Sequence, residues 1–115
     1  MISKAKRKEI YTKWVAALRS GEYKKTTHRL RADDKFCCLG VLCEVVGKRW
    51  NANQAITMKD REYVALLPPG FAGLSYDTTC ALADMNDGIY ENEQRGKSFK
   101  TIATWIEKNL IAPLG

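Results

Sequence analysis

The sequence lacks every short signature that would fix a reaction: it has no glycine-rich phosphate loop, no His-x-Glu zinc-deaminase motif and no Gly-x-Ser-x-Gly elbow. Histidine occurs once, as His28, so a cysteine nucleophile has a single imidazole to draw on. A pairing of Cys37 with His28 would have to be assembled in space, and a histidine set among Lys and Arg is more often a solvated side chain. Long hydrophobic runs are also missing. The longest, Phe36 to Val46, is 11 residues and is broken by Glu44, whereas a membrane-spanning helix needs roughly 20. The charged start, Met1 to Lys8, leads into no apolar stretch of the kind a secretory signal carries. The expectation is a protein that stays in the cytoplasm where it is made, with no membrane contact and no catalytic machinery.

What is present suits one compact domain over residues 1–115. The hydrophobic fraction of 45% is that of ordinary globular proteins. A chain of this length buries about two thirds of its unfolded surface, enough to fold without a metal or a disulfide. Four cysteines raise the question of zinc, and their spacing answers against it. Cys37 and Cys38 are adjacent, Cys43 follows after four intervening residues and Cys80 stands alone, whereas zinc sites usually bring their ligands together as two Cys-x2–4-Cys pairs. On a helix, Cys37, Cys38 and Cys43 point more than about 90° apart and cannot converge on one ion. Buried reduced thiols are the expectation, with no cofactor.

Charge is distributed unevenly. Residues 1–35 hold 11 basic groups against Glu9, Glu22, Asp33 and Asp34, a surplus of +7, while residues 36–115 hold 8 basic and 9 acidic groups. The formal +6 therefore belongs to the first third of the chain, as expected of a surface that faces an anionic partner. The plainer reading is that the charge only keeps a small protein soluble.

Periodicity predicts an α+β fold, mainly helical, with about four helices and a small antiparallel β-hairpin. Ile10, Tyr11, Trp14, Val15, Ala17 and Leu18 make one apolar face of a helix that runs from Ser3 and ends at Gly21. Residues 22–31 have no helical stripe and read as a basic loop or short strand. Phe36 to Val46 reads as a second helix, capped by Asp33-Asp34 and stopped at Gly47, with a strand as the alternative that so short an apolar run leaves open. Its broad buried face is Phe36, Leu39, Leu42, Cys43 and Val46, with Cys37, Gly40 and Glu44 opposite. Gly40 costs a helix about 1 kcal/mol relative to Ala, which implies that another backbone or a ligand passes close by. Ala55–Met58 and Tyr63–Leu67 flank a polar turn as a hairpin that Pro68-Pro69-Gly70 stops. Asp77 caps a short third helix through Ala81, Leu82 and Met85. A polar loop from Asn86 to Lys97 follows. Ser98 then caps a last helix with the stripe Phe99, Ile102, Ala103, Ile106 and Leu110.

Asp84, Asn86, Asp87, Glu91 and Glu93 resemble a calcium loop in composition. The register fails, because the sixth position is Ile89 where an EF-hand needs Gly. Basic groups interleaved with aromatics remain as the candidate site: Arg19, Tyr23, Lys24, Lys25, Arg29 and Arg31, with His28 among them and Trp50 brought near by folding. Cations pair with phosphate and aromatic faces stack on bases, so the set suits a nucleotide or single-stranded nucleic acid. Asn86 and Asp87 would meet ribose hydroxyls or base edges. Tyr23 and Trp50 also fit a second role, as rings at the boundary of the core.

The blocks Trp14…Ala17-Leu18-Arg19-Ser20-Gly21-x-Tyr23, Phe36-Cys37-Cys38-Leu39-Gly40-Val41-Leu42-Cys43, Met85-Asn86-Asp87 and Gly96-x-Ser98-Phe99-x-x-Ile102-Ala103-x-x-Ile106-Glu107 resemble, in this order, a family of small uncharacterised bacteriophage proteins. The departure from that pattern is a longer loop between Asn86-Asp87 and Gly96. The resemblance implies a setting, an infected bacterial cytoplasm, and no activity. Joined to the charge map, it leads to an expected non-enzymatic binder that counters host defence by sequestering an anionic nucleotide-derived, cyclic nucleotide-like signal in a pocket at a homo-oligomer interface. Two other readings use the same basic face: a nucleic-acid-binding accessory protein, and an inhibitor that docks on an acidic host protein.

Overall fold

A computed structural model describes residues 2–89 and 94–115. The fold is α+β. Four helices, α1 (Lys4–Arg19), α2 (Cys38–Val45), α3 (Tyr76–Asp87) and α4 (Phe99–Ile106), surround one buried apolar cluster to which all four contribute. The strands are short. β1 (Lys24–Lys25), β2 (Arg31–Ala32) and β3 (Lys35–Phe36) form a mixed sheet in the order β1-β3-β2, with β1 parallel and β2 antiparallel to β3. β4 (Ile56–Met58) and β5 (Arg61–Tyr63) form an antiparallel hairpin, and β6 (Gly88–Ile89) pairs antiparallel with β7 (Gln94–Arg95). Among the described residues, no helix is long and apolar enough to cross a membrane.

The α1 helix forms where its periodicity places it. The Ser3 side chain accepts from Lys6 N at its start, and Gly21, at φ +78°, turns the chain away after its end. Tyr11, Trp14, Val15 and Leu18 are buried at the i, i+3, i+4, i+7 spacing and pack on α2 and α4. The Trp14 indole donates to Cys38 O at 2.9 Å, so the largest core side chain leaves no polar atom unpaired. Ser98 caps α4 by accepting from Thr101 N, and Ile102, Ala103 and Ile106 face the core. The chain then continues through one wide turn, Glu107–Ile111, and a tight one, Ala112–Leu114, that takes in Pro113.

Four expectations need correction. Asp33-Asp34 does not cap α2. The two residues form the turn between β2 and β3, with Asp33 in the left-handed region at φ +57°, a conformation that Asp tolerates. The cap is Cys37, whose sulfur accepts from Gly40 N at 3.3 Å, so the helix starts two residues after Phe36. Second, Cys37 and Gly40 do not lie on an outer stripe: residues 37–43 are all buried, and α2 becomes half-exposed only at Glu44 and Val45. Third, the hairpin turns at Lys59-Asp60, both at positive φ, so its second strand is Arg61–Tyr63 and not Tyr63–Leu67. Fourth, α3 is capped by Ser75, whose hydroxyl accepts from Thr78 N, with Asp77 inside the first turn. The polar loop falls partly on residues 90–93, so Glu91 and Glu93 lie outside the described residues.

Gly40 has the close backbone neighbour that its cost implied. A Cβ there would stand 1.9 Å from Leu30 O, the carbonyl that also accepts from Cys37 N at 3.0 Å. That contact locks the segment before β2 against the first turn of α2 and so sets where the basic sheet lies.

Candidate binding face

The mixed sheet carries four basic residues of the first third of the chain, Lys24, Lys25, Arg31 and Lys35. Its register pairs Lys24 with Lys35 and Ala32 with Lys35, and pairs Lys25 and Arg31 with Phe36. Directly paired residues share a face, so Lys24, Ala32 and Lys35 lie on one side and Lys25, Phe36 and Arg31 on the other. Tyr23, two residues before Lys25, joins the second side. Its ring meets Phe36 edge to face, with centroids 5.4 Å apart and planes at 84°. Trp50 closes on the same ring at 6.0 Å. The Arg31 guanidinium lies over both, 5.4 Å from the Phe36 centroid and 5.6 Å from that of Trp50. Tyr23, Arg31 and Trp50 are half-buried, so rings and cation sit at the boundary between core and water.

Second contacts hold this cluster. Arg31 Nε donates to Asp33 O at 2.7 Å and the Trp50 indole to Glu44 Oε1 at 2.6 Å. Burial pushes the Tyr23 phenol up from its ordinary value, and the Glu44 and Glu22 carboxylates add to the effect. Lys24 forms an exposed ion pair with Asp34 at 3.2 Å, which holds the Asp34 carboxyl below its usual value.

The remaining candidates are placed elsewhere or committed to the protein. Arg19 binds Glu107 and Thr104, tying α1 to the end of α4. Lys25 Nζ donates to Lys97 O at 2.7 Å, and burial lowers its pKa. Arg29 donates to Asn53 O at 3.0 Å. Asn86 is fully buried: Oδ1 accepts from Cys38 N at 3.0 Å, and Nδ2 donates to Thr26 O and to Asp87 Oδ1, each at 2.9 Å. Its side chain therefore supplies the partner that the first N–H of α2 lacks within its own helix. It is not presented to solvent. Asp87 accepts from His28 N at 3.0 Å, and its other oxygen is 3.5 Å from His28 Nδ1. Both residues lie on the wall of a separate concavity of about 280 Å³ with Cys80 and Asp84.

Sequence reasoning missed Phe36 and Glu44 as parts of this cluster, because Phe36 was assigned to the helix that follows. A signal was available. Asp33-Asp34 between Arg31-Ala32 and Lys35-Phe36 is a two-residue turn between two short extended pairs. The four cysteines are free thiols. Burial pushes Cys37 up to about 11, Cys43 up to about 12 and Cys38 well above its ordinary value. Neutral buried sulfurs of this kind pack as small hydrophobes.

The stretch from α1 through the sheet, α2 and the β4-β5 hairpin to the cap of α3 is matched by a family model, residues 6–75, described as a domain of unknown function, DUF8296. The chain belongs to this family. The DUF8296 match contains the whole Tyr23–Phe36–Trp50–Arg31 cluster, while Asn86, Asp87 and α4 lie beyond it. No curated protein and no solved structure matches the chain.

Proposed function

We propose that this DUF8296 protein is a non-enzymatic binder of an anionic, base-bearing ligand, a nucleotide-derived signal of cyclic or linear form. In this reading it is phage-encoded and acts in the infected bacterial cytoplasm to withdraw that signal from host defence. The observation that supports the reading is the meeting of the Arg31 guanidinium with the rings of Phe36 and Trp50, at 5.4 and 5.6 Å, on the most basic part of the chain. Arg31 would pair with phosphate, and Tyr23 or Trp50 would offer a ring for a base; Lys24 lies on the other side of the sheet, in its ion pair with Asp34. Lys25 and Arg29 are held by backbone carbonyls, those of Lys97 and Asn53. The setting rests on the resemblance to small bacteriophage proteins.

The test is a thermal-shift screen against cyclic and linear nucleotides at two salt concentrations. A ligand at about 100 times its Kd stabilises the folded state by about 2.7 kcal/mol, a rise of several degrees in Tm. The expected result is such a rise for at least one nucleotide at both salts, abolished in Arg31→Ala and in Trp50→Ala. Silence across the panel overturns the proposal. A response confined to oligonucleotides that falls steeply with salt replaces it with nucleic-acid binding, through counterion release.

A further inference from the structure

A second surface lies apart from the aromatic cluster. Three concavities of about 280, 580 and 180 Å³ share Gly70 in their walls. The segment that shapes them is coiled tightly: Gly70, Ala72 and Gly73 all take left-handed backbone, at φ +85°, +52° and +80°. The Tyr11 hydroxyl pins it by donating to Ala72 O at 2.8 Å, and Gly70 N donates to Leu74 O at 2.8 Å. A depression built on pinned backbone is preformed, which lowers the entropic cost of binding.

The lining has a consistent chemistry. Its floor is apolar, with Ile10, Val46, Met58 and Phe71 contributing, and Pro68-Pro69 forms part of the rim. Among the described residues, each concavity carries one cation in its wall: Lys48 in the first, Arg7 in the second and Lys59 in the third. Among the described residues, no Asp or Glu lines any of the three. Arg7 lies with its stem across Gly73, where a Cβ would stand 2.5 Å from Arg7 Cδ. Its Nε is closed off from solvent and meets no acceptor among the described residues.

We propose that this groove docks an acidic amphipathic peptide segment of a partner protein. Apolar side chains of the segment enter over Met58 and Phe71 while its carboxylates meet Arg7, Lys48 and Lys59. One cation per hollow matches a ligand whose negative charges recur along its length, which a fatty acid with one charged end does not provide. A concave floor is also the wrong shape for the plane of a bilayer. Apolar anchors set among complementary charges are how short segments bind grooves.

The test selects peptides of about 12 residues from a random display library on the full-length chain and titrates the recovered peptides by fluorescence anisotropy. The expected peptides alternate apolar and acidic residues. Their affinity falls about tenfold or more in Lys48→Glu/Lys59→Glu and is unchanged in Arg31→Ala. Both lysines are exposed, so the double variant keeps its fold, which an unchanged Tm checks. Failure to recover peptides, recovery of peptides without acidic residues, or equal binding to the charge-reversed variant overturns the proposal. So does sedimentation of the protein with phosphatidylglycerol vesicles that recovered peptides do not compete away. Because Arg31 and Trp50 play no part here, a negative nucleotide screen leaves this result standing, and the reverse also holds.

Discussion

Residues 37–43 and residues 24–36 adjoin in the chain and in space, yet they treat polar groups in opposite ways. In the first segment every residue is buried, and the polar atoms at the start of α2 find partners inside the protein: Cys38 N with Asn86, Gly40 N with the Cys37 sulfur, Cys38 O with the Trp14 indole. In the second, charged side chains are held by single contacts near water, such as Lys24 with Asp34. Buried polar atoms that lose a partner cannot turn to solvent, whereas exposed ones can. Stability should therefore depend on the first segment and recognition on the second.

The sharpest way to break this division is Gly40→Ala. A Cβ cannot sit 1.9 Å from a backbone carbonyl, so Leu30 or α2 must move. The expected result is loss of folded protein or a loss of roughly 3 kcal/mol or more in chemical denaturation. A variant within about 1 kcal/mol of wild type would show that the two backbones separate at little cost. Next in size is Asn86→Ala, which strips partners from Cys38 N and Thr26 O and is expected to cost about 3 kcal/mol. Its circular dichroism should remain helical.

The third effect is alkaline. Cys37 and Cys43 are raised from 9.0 to about 11 and about 12 by burial. Below pH 9 both the folded and the unfolded chain carry neutral thiols, and the full stability is present. Above it the unfolded chain loses protons first, so stability falls as pH rises between about 9 and about 12. Denaturation midpoints across that range check the slope, and a Cys37→Ala/Cys43→Ala variant should reduce it, leaving the contribution of Cys38. Smallest of all in stability, Lys24→Ala and Arg31→Ala should leave Tm nearly unchanged, since a half-exposed cation–π contact is worth about 1 kcal/mol or less. If either melts like Asn86→Ala, the sheet is part of the stabilising core and the contrast fails.

Much of the architecture was legible because burial has a period. The stripes at Tyr11-Trp14-Leu18 and Ile102-Ala103-Ile106 place α1 and α4 correctly, and Ser3 and Ser98 cap where their spacing puts them. Boundaries were legible where one residue type had one use. They failed where a type had two. Asp is both a helix cap and a turn residue, and in Asp33-Asp34 the turn prevailed because Lys35-Phe36 pairs with two strands. Of the nine candidate ligand residues, Tyr23, Arg31 and Trp50 come together around one ring. Arg19 and Asn86 instead serve distant elements, 88 and 48 residues away in sequence from their partners Glu107 and Cys38. Local pattern carries no information on such pairings.

Composition and periodicity by themselves determined the helical count, the apolar faces, the basic first third and the need for a close neighbour at Gly40. These follow from propensity and spacing, which act within a few residues. Only the tertiary structure decided that the neighbour is the Leu30 carbonyl, that Asn86 turns inward to complete α2, and that Arg31 meets Phe36 and Trp50. Each of those depends on which remote group fills a space or satisfies a buried donor, and that is settled by close packing of the whole chain at once.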